Sequence, residues 1–150
     1  MKTKSLIAGL ACLVASGVAF ADLDPWKDYE ASEAVWSVTT VKVKSNMSDA
    51  YLEGLKETWI PGNKISQELG QIESWTIYRS DLEDSGDFNL VLVVKFPNTA
   101  ALGPNKARYD AFMAKYTQEQ SDRSTAYAQK NYPAMREITG EYLLREITIK

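Results

Sequence analysis

Between Val35 and Lys44 (VWSVTTVKVK) apolar and polar positions alternate with a period of two. Val35, Thr39, Val41 and Val43 fall on one side and Trp36, Val38, Thr40 and Lys42 on the other, and the abundance of β-branched residues predicts a strand. The period then lengthens. Ser48 or Asp49 is suited to accept hydrogen bonds from the free N–H groups of a first helical turn, and Leu52, Leu55 and Trp59 recur at helical spacing. Pro61-Gly62 interrupts this pattern, since proline removes a donor and clashes with the preceding turn. Asn63, Ile65 and Leu69 carry the pattern on to Gly70, so a bent or two-part helix is expected.

Two further strands are predicted at Ile72 to Arg79 and Phe88 to Phe96, joined by the polar stretch Ser80 to Asp87 as a hairpin. The second is apolar on both sides, which marks a central strand covered on both faces. Pro97-Asn98 and Gly103-Pro104 punctuate a turn. Tyr109, Phe112, Met113 and Tyr116 then follow the i, i+3, i+4, i+7 spacing of a buried helix stripe. Residues 118 to 131 predict a third, less buried helix capped near Ser121 and ended by Pro133. Gly140 is read as a turn, and Tyr142 to Ile149 as the last strand.

The order β, α, β, β, α, β is that of the ferredoxin-like motif, an α+β fold with helices on one face of a four-stranded antiparallel sheet. If Val41, Val43, Leu90, Leu92, Ile147 and Ile149 meet the helices, then Trp36, Val38, Val91, Val93, Tyr142 and Leu144 lie on the opposite face. Left in water, these would exceed the few hundred Å² of contiguous apolar surface that a monomer ordinarily exposes. A second copy of the chain is the simplest cover, so a homodimer is expected.

Ahead of this domain, Lys2 and Lys4 precede an uncharged apolar run, Leu6 to Val18, and then Ala19-Phe20-Ala21. That is the anatomy of a cleaved export signal, with the cut before Asp22, a periplasmic or secreted product and no stable membrane insertion after cleavage. Gly9 stands where a lipoprotein signal at Cys12 would have a large aliphatic residue. Residues 22–34 read as an N-terminal arm and 35–150 as one domain. Removing residues 1–21 takes two of the 17 basic residues and none of the 20 acidic ones, leaving a net charge of −5. The remaining Lys and Arg are scattered, and nucleic acid is not an expected partner.

The chain has no histidine, and its single cysteine, Cys12, lies within the export signal. Without either side chain, Ser-His-Asp and Cys-His nucleophiles and His or Cys zinc sites cannot be built. No phosphate-cradling glycine motif occurs. The acidic loop Asp81 to Asp87 fails the calcium-loop pattern, because position twelve falls on Leu92 where a bidentate Glu is required. No metal or other cofactor is expected.

The strand VWSVTTVKVK, the bent helix ending WIPGNK, the hairpin SWTIYR and FNLVLVVKF, and the closing EYLLREITI together resemble the dimeric α/β-barrel superfamily over about residues 35 to 150. The resemblance implies two ferredoxin-like subunits pressed sheet to sheet. Its haem-binding branches rely on a histidine ligand that this chain lacks. Its cofactor-free monooxygenases use Trp, Asn and Arg around an aromatic substrate, and Trp59, Asn63 and Arg79 are residues of those types.

Trp59 and Asn63, four apart, would share a helix face and present a ring and an amide to a ligand, or serve as core packing and a helix cap. Trp75 and Arg79 share one side of a strand, where the Arg is suited to a carboxylate or phenolate or to an ion pair with Asp81 or Glu83. Arg145 and Glu146 point to opposite faces of the last strand, with Lys42 or Lys95 as partners for the acid. The expected function is binding of a small aromatic or apolar ligand between sheet and helices by Trp59, Asn63, Trp75, Arg79, Phe112 and Tyr116. The alternatives are a cofactor-independent oxygenase or isomerase in the same cavity and a non-catalytic interaction module.

Overall fold

The computed structural model describes residues 23–82 and 85–150, so the expected export signal with its cut before Asp22, and Glu83 and Asp84, lie outside the described residues. Ten elements follow in order: β1 (Tyr29–Ala31), β2 (Val35–Val43), α1 (Ser48–Glu57), α2 (Trp59–Glu68), β3 (Ser74–Arg79), β4 (Leu90–Phe96), α3 (Lys106–Lys115), α4 (Gln118–Met135), β5 (Arg136–Leu144) and β6 (Ile147–Ile149), with a 3₁₀ turn at Thr99–Leu102. The main sheet has the order β3-β4-β2-β5, and every neighbouring pair is antiparallel.

The two-part helix is as the sequence pattern predicts. A proline ring clashes with the carbonyl four residues back, which for Pro61 is Glu57, the last residue of α1. The chain turns at Thr58 (φ −120°, ψ −71°) and restarts with Pro61 inside the first turn of α2, where its missing donor costs nothing.

One face of the sheet carries the core. Val41, Val43, Leu90 and Leu92 meet Tyr51 and Leu55 of α1 and Tyr132 of α4, with Tyr127, Ala128 and Met135 of α4 packed around them. Burying each such side chain contributes about 1.5–3 kcal/mol. The α1–α4 contact is close because Gly54 has no side chain: a Cβ there would stand 2.9 Å from Tyr127 Cε1 and 3.0 Å from Tyr132 Cε1.

Asn89 secures the end of the sheet. Its Oδ1 accepts from Val43 N at 2.7 Å and its Nδ2 donates to Val43 O at 2.8 Å, so a buried side chain replaces a strand partner where β2 leaves the ladder.

Several expectations change. The helix that shares the core with α1 is α4, while α3, with the stronger apolar stripe, leaves Tyr109 61% exposed and buries none of its residues. Aromatic spacing sets where a helix can be covered, but here the chain folds the more polar α4 onto the sheet through Tyr127 and Tyr132. Pro133 does not end α4, which reaches Met135, because a proline two residues from the end removes little. Thr117 rather than Ser121 caps it, accepting from Gln120 N at 3.3 Å. Phe88 lies outside β4 and is exposed.

The last strand also differs. It begins at Arg136, with Gly140 inside it beside a register shift opposite Thr40/Val41, and it stops at Leu144. Tyr142 folds its ring over Gly140, which has room for it because no Cβ is present. Beyond a break at Arg145-Glu146, β6 pairs with β1 in a separate two-stranded ribbon. Ile147 and Ile149 are therefore exposed rather than set against the helices. Arg145 and Glu146 sit between strands: the Arg145 guanidinium donates to the carbonyls of Ser32 (2.7 Å) and Glu33 (3.1 Å), and Glu146 O accepts from Ser32 N (2.9 Å).

Candidate functional site

On the helix side of β3, alternation places Trp75, Ile77 and Arg79 toward the helices, opposite Val94, Leu92 and Leu90. Trp59, the first residue of α2, comes down on this surface. Its ring meets that of Trp75 edge to face, with centroids 5.5 Å apart and planes at 87°. The Trp75 indole nitrogen is buried, and no described group accepts its proton. An indole is a donor only, and an unmade buried hydrogen bond costs about 1–3 kcal/mol.

The other expected residues divide into separate places. Asn63 donates from Nδ2 to the carbonyl of Trp59 at 2.8 Å, a local helical contact. Arg79 lies at the exposed end of β3, with Asp49 of α1 at 3.7 Å rather than the expected Asp81, while Glu83, the other expected partner, lies outside the described residues. On α3, Phe112 and Tyr116 face each other with centroids 5.2 Å apart. Phe112 Cζ would lie 3.7 Å from a Cβ on Gly62, so α3 rests against α2. The fold thus brings Trp59 to Trp75 and Phe112 to Tyr116, and leaves Arg79 apart.

A cluster that the sequence pattern does not single out occupies the other end of the core. Tyr51 and Tyr132 meet edge to face at 5.1 Å, Tyr127 and Tyr132 at 6.0 Å, and the Arg136 guanidinium lies over the rings of Tyr132 (5.1 Å) and Tyr51 (5.8 Å). Tyr132 shares a short hydrogen bond with Thr58, whose hydroxyl also donates to Gly54 O at 2.9 Å. Burial pushes the Tyr51 phenol up to about 12, and the neighbouring Arg136 offsets only part of that. Tyr132 is raised too, again chiefly by burial, against the hydrogen bond it shares with Thr58. Both phenols therefore stay neutral at physiological pH, and the cluster packs α1 and α4 together. Helical spacing gave no hint of it, because Arg136 and Tyr51 are brought together by the β2–β5 pairing.

Open grooves flank α3. One, of about 680 Å³, runs between the end of α2 and the start of α3 and is lined by Ser66, Gln71, Pro104, Arg108, Tyr109 and Phe112 among others. Another, of about 450 Å³, lies beside it and shares Gln71 and Arg108.

No protein-family model matches this sequence, and no curated protein is significantly similar to it. Among solved structures, a protein of Shewanella oneidensis superposes with a TM-score of 0.51 at 18% identity, covering 82% of this chain and 100% of that one. HapK from Hahella chejuensis gives 0.44 at 14% identity, covering 75% of this chain and 91% of its own. A dimeric protein of ferredoxin-like fold from Bacteroides fragilis gives 0.38 at 9% identity, covering 81% and 100%.

The fold is ferredoxin-like. The reverse face of this ferredoxin-like sheet is largely apolar over β2, β4 and β5. Register places Trp36 and Val38 of β2 beside Lys95 and Val93 of β4 and beside Leu144 and Tyr142 of β5, with Thr76 and Tyr78 of β3 beyond. Tyr78, Tyr142 and Leu144 are exposed. Lys95 lies on this face, held over the Trp36 ring at 5.1 Å and paired with Glu73 at 2.6 Å. Among the described residues, no helix is long and apolar enough to cross a membrane.

Proposed function

We propose that this chain is an exported homodimer that holds a small aromatic or apolar ligand between sheet and helices, with the Trp59–Trp75 pair as its recognition element. The observation that carries the reading is the buried Trp75 N–H with no acceptor among the described residues. Buried donors are nearly always satisfied, and one pointing beside a second indole suits a ligand with a flat apolar body and a single acceptor atom. The homodimer is supported by the reverse face, where apolar side chains of β2, β4 and β5 lie together without cover from any described element.

Native mass spectrometry of the protein taken from its own cell envelope tests both parts together. The expected species is a dimer of chains beginning at Asp22 that carries a small-molecule adduct, with the adduct lost from Trp75→Phe. Monomers free of any adduct would overturn the reading.

A further inference from the structure

The apolar stripe Tyr109, Phe112, Met113 and Tyr116 is the strongest helical pattern in the sequence, yet of these four the fold buries Tyr116 alone. Tyr109 is 61% exposed and Phe112 only half-buried, and both line the groove of about 680 Å³ between α2 and α3. That volume lies within the range of small-molecule sites, about 300–1,000 Å³. A tyrosine and a phenylalanine three apart on one helix give such a groove a flat apolar wall.

The charge of the groove is one-sided. Its lining includes Lys106 and Arg108 and no carboxylate, and the adjoining groove that shares Arg108 has no carboxylate in its lining either. Lys106 is already paired outward with Asp110 at 2.6 Å. Arg108 has no acid within ion-pair distance among the described residues. It is nevertheless held firmly. Its guanidinium donates to Gly103 O, its backbone N–H donates to Asn105 Oδ1 at 2.9 Å, and its carbonyl accepts from Gln71 Nε2 at 2.9 Å. A guanidinium has five N–H donors in a rigid fork, so one bond to Gly103 fixes it and leaves capacity for a bidentate anion.

We propose that this groove is a binding site, separate from the Trp59–Trp75 pair, for a small aromatic carboxylate whose ring lies on Tyr109 and Phe112 and whose anion is taken by Arg108. Charge complementarity selects the anion, since a neutral or cationic ligand would leave the Arg108 charge unmet. The exposed ring of Tyr109 selects a flat apolar body over a free inorganic anion.

The test is a titration of the ¹⁵N-labelled protein with sodium 3-phenylpropanoate, followed by amide and indole shifts, with 3-phenylpropan-1-ol as the neutral comparison. Saturable shifts are expected at Ser66, Gln71, Asn105 and Tyr109, with the carboxylate bound about threefold more tightly than the alcohol, the scale of one solvent-accessible ion pair. Arg108→Gln is expected to abolish that preference and leave the alcohol unaffected. Should Arg108→Gln disturb the Gly103 loop, Ser66→Trp, which fills the groove from α2, is expected to abolish binding of both compounds. Shifts confined to the Trp75 indole would overturn the groove assignment and leave the Trp-pair reading standing. Equal affinity for acid and alcohol, or no saturation, would overturn it as well, and groove shifts with a silent Trp75 would support it independently of that reading.

Discussion

Gly54 lies where α1 and α4 touch, and its worth can be weighed on two opposing scales. Alanine is favoured over glycine inside a helix by about 1 kcal/mol, which argues that Gly54→Ala should stabilise α1. The new methyl, however, would meet the rings of Tyr127 and Tyr132 at 2.9 and 3.0 Å. Tyr132 cannot swing away, being held by Thr58, Tyr51 and Arg136. Overpacking of this kind costs about 1–3 kcal/mol and should win. Gly54→Ala is expected to lower the thermal midpoint; an unchanged or raised midpoint would show that the tyrosines yield.

The same cluster sets a pH dependence. The Tyr51 phenol ionises near 10 when the chain is unfolded and near 12 when folded. Between those values the unfolded chain gives up a proton that the folded one keeps, so this contribution is whole below pH 10 and fades as pH rises toward 12. The loss over that window is about 2–3 kcal/mol. Urea unfolding at pH 9 and pH 11.5 should show a steeper decline for the wild type than for Tyr51→Phe, which has no proton to lose. Parallel declines would remove Tyr51 from the account.

At the scale of elements, the ribbon of β1 and β6 is the weakest piece. A two-stranded sheet alone is marginal in water, and β6 is exposed along its whole length. It is fastened by Lys150 N to Asp28 O at 3.0 Å, Lys150 Nζ to Trp26 O at 2.8 Å and to Glu30, and Ser32 N to Glu146 O at 2.9 Å. Removing Ile147–Lys150 deletes all but the last of these, while the Arg145 contacts to Ser32 and Glu33 remain. Hydrogen exchange should then speed up over Trp26 to Ala31, with protection in β2 and β4 unchanged. Loss of protection in β2 would mean that the tail supports the main sheet. Such a ribbon is hard to read from sequence, because YLLREITI has the composition of one strand and only the break at Arg145-Glu146 divides it. The helices show the same limit: spacing located all four, but not which pair would cover the sheet.

For the whole molecule, the two faces of the sheet make the decisive difference. One face is closed by α1 and α4, and the other has no described cover. If a second copy covers it, a charge at its centre should separate the copies without unfolding either, since Val93 sits between Val38 and Thr76 on that face. Val93→Lys is expected to shift the sedimenting species from dimer to monomer while the far-ultraviolet spectrum stays the same. A wild type that sediments as a monomer at high concentration would remove the dimer from the proposal.

Of the candidate site, residue type and alternation picked out Trp59, Trp75, Phe112 and Tyr116, because large aromatics at regular spacing must lie against something. They did not pick out Arg108, whose importance comes from Gly103, Asn105 and Gln71 meeting it from three segments of chain.

Local pattern was enough to determine the order of strands and helices, the turn enforced by Pro61, the two apolar faces of β2 and β4 and hence the ferredoxin-like arrangement, since each depends on residues near one another in the chain. Tertiary structure alone decided that α4 rather than α3 closes the core, that the C-terminal strand divides to hold the N-terminal arm, and that an arginine ends beside an open aromatic groove. Those outcomes depend on which distant surfaces fit together, and periodicity carries no record of fit.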